Sequence, residues 1–306
     1  MGDRARRRQR WRQLPAALAL LAPSSIILGL FVLYPLGRAI VLGQQRCNAV
    51  GKNCRSNGWD QYWDVFWSVE FQNALKVTFQ FALITVPLGL ALGVGLAVLA
   101  HKHLMGIGVF RAIFSSTVAT SVAVASLMWL FLLQPSVGVL ANVAFIGDLF
   151  PVVKDPGLLA DPGTALWSVA FSTVWANLGF TFILVTAGLQ SIPDDLYEAA
   201  SIDGATGVRR FWSITVPMLG PTLLFVVIVL TTRAFQAYGE VDLLTAGGPR
   251  PGNPTTTLTY LTYGQNSVVA SNAGLQAASA VLLFVVLLAL SLLQLRGIGK
   301  RVHYGS

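Results

Sequence analysis

Six long apolar stretches, separated by shorter polar segments, dominate the pattern of this sequence. A helix needs about 20 predominantly apolar residues to cross the hydrocarbon core of a bilayer. The pattern therefore predicts six transmembrane helices, over residues 14–37, 74–100, 112–133, 165–189, 214–235 and 273–295. Together they predict one membrane domain over residues 14–296, with a basic head at residues 1–13 and a short tail at residues 297–306.

The composition agrees with a membrane protein and argues against other classes. Charged residues make up 11% of the chain, against about 25% in a soluble domain, and 54% of the residues are hydrophobic. The net charge of +8 comes from scattered or terminal basic residues without a basic patch rich in aromatic residues, so no nucleic acid partner is predicted. We expect an all-α integral membrane protein surrounded by lipid.

The distribution of lysine and arginine predicts the orientation, because cytoplasmic segments carry an excess of both. With the N-terminus inside, thirteen such residues lie in cytoplasmic segments and six in external loops. The thirteen are Arg4, Arg6, Arg7, Arg8, Arg10, Arg12, Lys102, Arg111, Arg209, Arg210, Arg296, Lys300 and Arg301, and the six are Arg46, Lys52, Arg55, Lys76, Lys154 and Arg250. The prediction is a multi-pass protein with both termini in the cytoplasm.

The two cysteines, Cys47 and Cys54, lie in the predicted external loop between the first two spans, with six residues between them. A small-loop disulfide is compatible with an oxidising compartment, and so are two unpaired thiols, and the spacing does not decide between them. The chain has no cysteine or histidine spacing typical of a metal site, so none is predicted.

The sequence contains no motif for nucleotide binding or hydrolysis. We therefore predict a non-catalytic subunit, and any ATP that drives transport must be hydrolysed by another polypeptide. A secondary transporter is a remote alternative, because neither inverted repeats nor an acidic pair inside a span is present.

The segment at residues 191–217, between the fourth and fifth spans, has a distinct polar character. Asp194 and Asp195 are placed to cap a short helix over residues 196–202, and Gly204 can close that helix in a left-handed turn. A capped amphipathic helix that projects into the cytoplasm suits the groove of a partner protein. A connector lying on the membrane surface is the alternative.

The same segment carries a specific resemblance. Glu198-Ala199-Ala200 is followed, after three further residues, by Gly204, and Pro217 lies thirteen residues beyond that glycine. This spacing is similar to the signature of the membrane subunits of bacterial ABC importers, with Val216 where leucine is usual. The resemblance implies the fold of the binding-protein-dependent importer permeases, with six spans and a cytoplasmic coupling helix that docks on the ATPase. It assigns ATPase coupling to Glu198, Ala199, Ala200, Asp203, Gly204, Ala205 and Pro217.

Other segments resemble the carbohydrate branch of this family, the permeases of the maltose and glycerol-3-phosphate type. They include residues 188–193, residues 244–249 and, near the third span, Trp129, Gly138 and Asn142. The C-terminal run over residues 277–296, with Val302 and Tyr304, looks most like the first permease subunit of glycerol-3-phosphate or glycerophosphodiester importers. The implied solute is glycerol-3-phosphate or a glycerophosphodiester such as glycerophosphocholine, and a neutral oligosaccharide like maltose or trehalose is the alternative.

The resemblance also implies a complex in the bacterial cytoplasmic membrane. The chain would pair with a second permease subunit as a heterodimer, and an extracytoplasmic solute-binding protein would deliver the solute. Two ATPase subunits would dock on the coupling loop and hold ATP and Mg²⁺, while this chain binds no cofactor of its own.

Polar side chains in the fourth and fifth spans are candidates for the solute path. A charge inside a membrane span faces a cavity or a partner, and the guanidinium of Arg233 matches phosphate geometry. Pairing of Arg233 with Glu240, or with an acidic residue of the second permease, is the alternative. The other candidates are Trp175, Asn177, Gln236, Tyr238, Glu240 and Asp242. Trp175 and Tyr238 could stack on a sugar or a choline-like head group, and simple packing is equally compatible.

Overall fold

The computed structural model describes residues 19–47, 54–101, 105–139, 155–250, 252–267 and 269–297. The predicted head at residues 1–13 lies outside the described residues, as do residues 298–306 of the predicted tail, together with Asn142, Val302 and Tyr304. Within the described part, four helices are long and apolar enough to cross a membrane, and two bent helix pairs raise the number to six if each pair is one span.

The first span, α1, covers Ala19–Leu42, five residues later than predicted at its C-terminal end. Residues Gly29–Leu33 form a π-helical turn just before Pro35. A proline ring clashes with the carbonyl four residues earlier and provides no N–H, and a widened turn accommodates both effects. No residue of α1 is buried, so this helix lies at the edge of the bundle.

A small module follows α1 and defines what we call the hairpin end of the bundle. Strands β1 (Gln45–Arg46) and β2 (Arg55–Ser56) pair antiparallel, and a disulfide joins Cys47 to Cys54. Helix α2 (Asp60–Phe66) packs beside the hairpin through an ion pair between Arg46 and Asp64, 3.0 Å apart.

The central pair of helices is α3 (Val69–Ala100) and α6 (Ala165–Gln190). Helix α3 begins five residues before the predicted span because Ser68 caps it by accepting the N–H of Phe71. The two helices approach closely where Gly93 faces Thr181, since a Cβ at position 93 would lie 2.3 Å from the Thr181 Cγ2. This close contact agrees with the use of small residues at membrane helix interfaces.

The third predicted span is not one straight helix. Helix α4 (Ile107–Ser116) continues as a 3₁₀ turn to Ala119, and α5 (Val122–Leu133) then leaves at an angle of 106°. The predicted span over residues 112–133 is therefore divided between two helices. The cause is local, because Thr120 has an extended backbone and the Ser121 hydroxyl caps the new helix by accepting the N–H of Val124.

The fifth predicted span is also broken. Helix α8 (Gly207–Met218) contains a π turn at Phe211–Thr215, two residues before Pro217, and α9 (Gly220–Phe235) follows after a bend of 71°. As in α1, a proline lies next to a π turn, and the two together explain why the helix changes direction here.

The remaining helices complete the bundle: α7 (Asp194–Ile202) between α6 and α8, then α10 (Gly239–Thr245), α11 (Leu258–Tyr263) and the last span α12 (Ala273–Gly297). Tyr197, on α7, packs against a core cluster that includes Ala97 and Ala100 at the far end of α3. Because α3 is about 48 Å long at 1.5 Å per residue, α7 and the hairpin lie at opposite ends of the bundle. We call the end with α7 the coupling end.

Candidate coupling surface and translocation cavity

Helix α7 is closed at its C-terminal end by the predicted left-handed turn. Gly204 has φ +71°, and the N–H groups of Gly204 and Ala205 donate to the carbonyls of Ser201 and Ala200, at 3.1 and 2.9 Å. This is the Schellman arrangement, which satisfies carbonyls that a helix end leaves free. At the other end the expectation was wrong in detail: Pro193 is the N-cap, and Asp194 and Asp195 occupy the first turn without a capping hydrogen bond.

One face of α7 is fixed to the bundle. The Tyr197 hydroxyl lies 3.1 Å from the Thr215 Oγ1, and Ala200 is buried. The guanidinium of Arg210 donates to the Ser201 hydroxyl at 3.0 Å, so α7 and α8 are tied together. These contacts make the pair of short helices a rigid unit rather than a loose connector.

The opposite face of this unit is open to solvent. Glu198, Ala199, Asp203, Gly204 and Pro217 are exposed, and Ala205 is half-buried. Large apolar side chains are exposed beside them, namely Ile202, Val208 and Trp212, with Ile202 showing 87% of its surface. Such an exposed apolar patch is typical of an interaction site.

A cavity of about 590 Å³ lies between the bundle ends. Its walls are the bend between α4 and α5, the middle of α6, and the segment that joins α9 to α10. Five of the predicted path residues line it: Asn177, Arg233, Gln236, Tyr238 and Glu240.

Arg233 is held in the cavity wall by two contacts. Its Nη1 donates to the Oδ1 of Asn177 at 2.5 Å, and its guanidinium carbon lies 4.3 Å from the centre of the Phe180 ring. Within the described residues it makes no direct ion pair, although Glu240 lines the same cavity and lies close enough to attract it electrostatically. The remaining guanidinium N–H groups are thus available to a bound anion.

Two predicted path residues lie elsewhere. Trp175 packs edge to face against Trp129, with ring centres 6.2 Å apart. Asp242 lines a separate cavity of about 410 Å³ beside Gln134 and Leu159. The reason is helical geometry, because a step of two residues from Asn177 or Glu240 rotates a side chain by about 200°.

One wall of this cavity was not predicted from the sequence, namely the wall formed by Val118, Thr120, Ser121 and Val122. The signal was present as a run of hydroxyl residues inside an apolar stretch, Ser115-Ser116-Thr117 followed by Thr120-Ser121. Serine and threonine satisfy free backbone groups where a membrane helix breaks, so this run could have indicated the bend.

The bundle carries an exposed unit of two short helices at one end and encloses a polar cavity. These are the features of a solute-conducting subunit. The chain belongs to the family described as "Binding-protein-dependent transport system inner membrane component", which matches residues 93–304. It is a non-catalytic ABC importer permease subunit and a multi-pass bacterial membrane protein, and ATP is hydrolysed on a separate subunit. The predicted fold class is confirmed.

Similar proteins span nearly the whole chain. The "sn-glycerol-3-phosphate transport system permease protein UgpA" of Agrobacterium fabrum is 36% identical over 94% of this chain and 95% of its own length. The protein of the same name from Escherichia coli strain UTI89 is 31% identical, with 97% of each chain covered.

Two solved structures share the fold. One is a bacterial ABC transporter involved in the import of the acidic polysaccharide alginate, with TM-score 0.77, 21% identity and coverage of 96% of this chain and 98% of that chain. The other is the alginate transporter in complex with a pentasaccharide-bound periplasmic protein, with TM-score 0.74, 21% identity and coverage of 98% of this chain and 99% of that chain.

Proposed function

We propose that this chain forms half of the translocation path for glycerol-3-phosphate or a glycerophosphodiester such as glycerophosphocholine. The observation that carries the proposal is the guanidinium of Arg233, positioned by Asn177 and Phe180 and free to donate into a cavity of about 590 Å³. A guanidinium fork matches the oxygens of a phosphate group. The names of the similar permeases support the same class of solute.

The second candidate is a neutral oligosaccharide of the maltose or trehalose type. The rings of Phe180 and Tyr238 line the same cavity and provide faces on which a sugar could stack. A neutral sugar, however, brings no anionic acceptor of its own to the free N–H groups of Arg233. A phosphorylated solute therefore explains the presence of Arg233 in the cavity lining better than a neutral sugar does.

We place the chain with both termini in the cytoplasm, so that α7 projects into the cytoplasm and the hairpin end faces outward. Two ATPase subunits dock on the exposed face of α7 and hold ATP and Mg²⁺. The second permease subunit pairs with this chain as a heterodimer around the cavity. A solute-binding protein docks on the hairpin end. Closure of the ATPase dimer moves α7 and α8 as one unit, and the spans alternate between inward- and outward-facing states.

The test is ATPase activity of the assembled complex in lipid nanodiscs with its cognate binding protein. Glycerol-3-phosphate, glycerophosphocholine, maltose and trehalose are titrated separately. Stimulation by phosphorylated compounds alone supports the proposal. Stimulation by a neutral sugar alone would contradict the phosphorylated solute, while the chain would remain a subunit of an importer.

Replacing Arg233 with alanine is expected to raise the concentration of phosphorylated solute needed for half-maximal uptake by about 10- to 100-fold. A hydrogen bond to a charged group contributes about 1.5–3 kcal/mol, which corresponds to that factor. Arg233→Lys keeps the charge but loses the fork, so an intermediate effect is expected.

Uptake into proteoliposomes at increasing solute concentration measures this effect. Arg38→Ala is the matched control, because Arg38 is an exposed arginine on α1 that bonds only to Tyr34 among the described residues. If the Arg233→Ala variant takes up the phosphorylated solute with normal affinity, Arg233 does not contact the solute.

A further inference from the structure

The translocation cavity carries one charge of each sign among the described residues that line it. Arg233 is the cation and Glu240 is the anion, and the other lining side chains are uncharged. A carboxylate in the same cavity weakens the attraction of the guanidinium for an anion. A solute that carries only negative charge therefore explains the presence of Arg233 and leaves that of Glu240 unexplained.

The two charges are held by different walls of the cavity. Arg233 is tied to α6 by its contacts with the amide and the ring described above. Glu240 lies in the first turn of α10, and this turn packs against the start of α5, where a Cβ on Gly239 would lie 3.1 Å from the Val122 Cγ1. A solute that lies between the walls can thus meet the guanidinium with one group and the carboxylate with another.

The carboxylate of Glu240 has acceptor sites to spare. It accepts a hydrogen bond from the N–H of its own residue, and it makes no direct ion pair within the part of the chain that the structure describes. A carboxylate has about four acceptor sites, so most of them are available to a ligand. An ionisable group that lines a cavity of a membrane protein generally marks the path of a solute or an ion.

An aromatic ring lines the cavity two residues before this carboxylate in the chain. The ring of Tyr238 stacks on that of Tyr260, with centres 6.0 Å apart and an interplanar angle of 22°. Because Tyr260 is buried, the stacked pair holds the Tyr238 ring in the cavity wall. Aromatic rings and carboxylates both attract a quaternary ammonium group. Glu240 and Tyr238 together therefore provide the chemistry of a cation site.

We propose that Glu240, with the ring of Tyr238, receives the cationic group of a zwitterionic glycerophosphodiester whose phosphate lies on Arg233. Glycerophosphocholine carries these two opposite charges in one molecule. Glycerol-3-phosphate has no cation, and its phosphate monoester carries a charge of about −1.5 to −2 at pH 7, which Glu240 repels. Glu240 is thus a specificity-determining residue that favours the zwitterionic diester. This inference rests on the proposed function, because it distinguishes between the two solutes named there.

The test compares the uptake of two phosphodiesters that differ in the cation. Glycerophosphocholine carries a trimethylammonium group, whereas glycerophosphoglycerol has a neutral alcohol in its place. The complete complex is reconstituted in proteoliposomes with its binding protein saturated by one solute or the other, and the ratio of the two maximal uptake rates is measured. Every variant is measured with the same binding protein, so the preference of that protein cancels when the ratios are compared.

Glu240→Gln is expected to lower the ratio of glycerophosphocholine to glycerophosphoglycerol uptake by about 5- to 30-fold, because the amide keeps the shape and loses the charge that attracts the cation. Uptake of glycerol-3-phosphate by this variant is expected to hold or rise, because the repulsion is removed. Glu240→Asp keeps the charge and is expected to retain most of the preference. Asp242→Asn is the matched control, since this carboxylate lies on the same helix but lines the separate cavity, and its ratio should stay within about twofold.

A second pair of variants tests the aromatic part of the site. Tyr238→Leu removes the ring and is expected to lower the same ratio by about 2- to 10-fold. Tyr238→Phe keeps the ring and is expected to leave the ratio unchanged. A merely structural role of Tyr238 would slow the uptake of both diesters alike and leave their ratio as it was.

An unchanged ratio in Glu240→Gln would overturn the inference, and so would an equal fall in Glu240→Gln and Asp242→Asn. If Glu240→Gln does not assemble, an unchanged ratio in Tyr238→Leu overturns it instead. Failure of the proposed function gives a different result, since then neither the diesters nor glycerol-3-phosphate are taken up, and this inference fails with it. If Arg233→Ala weakens the uptake of both diesters but Glu240→Gln leaves the ratio unchanged, the proposed function stands and the inference fails.

Discussion

Replacing Ala199 with arginine is expected to abolish solute uptake while the bundle stays folded. Ala199 lies on the exposed face of α7, whereas its neighbour Ala200 is buried against the bundle. A long charged side chain at position 199 would hold a docking ATPase away from the apolar patch formed by Ile202, Val208 and Trp212. Loss of a central interface contact costs about 2–4 kcal/mol, which weakens docking by roughly 30- to 1000-fold.

The measurement is co-purification of the ATPase subunits with the permease, followed by uptake in proteoliposomes. Ala160→Arg places the same substitution at an exposed alanine at the hairpin end, and it should leave ATPase docking intact. Gly204→Asp tests the turn separately, because an L side chain at φ +71° is strained even though there is space around it. Normal docking and uptake in Ala199→Arg would show that the exposed face of α7 is not the coupling surface.

The second large effect is expected at Gly274, at the start of α12. A Cβ at this position would lie 1.5 Å from the backbone carbonyl oxygen of Gln45, so Gly274→Ala forces the hairpin off the last span. Backbone atoms cannot rotate away as a flexible side chain can, and overpacking of this kind costs about 3 kcal/mol or more. For a chain of this size we expect the Tm to fall by about 6–12 °C.

Thermal unfolding in detergent, followed by size-exclusion chromatography, measures this loss. Gly95→Ala is the matched control on α3, where no neighbouring atom lies within 4 Å of the added Cβ. Alanine is the better helix former there by about 0.5–1 kcal/mol, so the Tm should hold or rise slightly. Equal Tm values for the two variants would show that the hairpin does not pack on α12 as described.

The sequence predicts some parts of the bundle better than others. The coupling loop is a local structure, and its glycine turn, its short helix and its exposed apolar residues follow from residues close together in the chain. The long apolar runs likewise predict both ends of α6 and α12 to within two residues, whereas α1 and α3 each differ from the prediction by five residues at one end. The bends after Ala119 and after Met218 were not predicted, because an average over apolar residues contains no information on helix direction.

The large cavity could be predicted only in part. Its walls come from three separate stretches of chain, and which side chains face inward depends on how the helices rotate against one another. Arg233 and Asn177 were predicted together and both line this cavity, whereas Trp175, predicted with them, points about 200° away from Asn177. A smaller cavity of about 130 Å³, lined by Glu70 and Tyr260, was not predicted at all, since these two residues are 190 positions apart and neither belongs to a recognisable motif.

The contact between the hairpin and α12 also bears on the order in which the chain is made. The Cys47 N–H donates to the Oδ1 of Asn272 at 3.3 Å, and the same oxygen accepts the N–H groups of Gly274 and Leu275 at the start of the last helix. During synthesis the hairpin leaves the ribosome more than 200 residues before its acceptor does. The hairpin therefore completes its packing only after the last helix has been made, and nascent chains that stop short of residue 272 lack the acceptor of the Cys47 N–H.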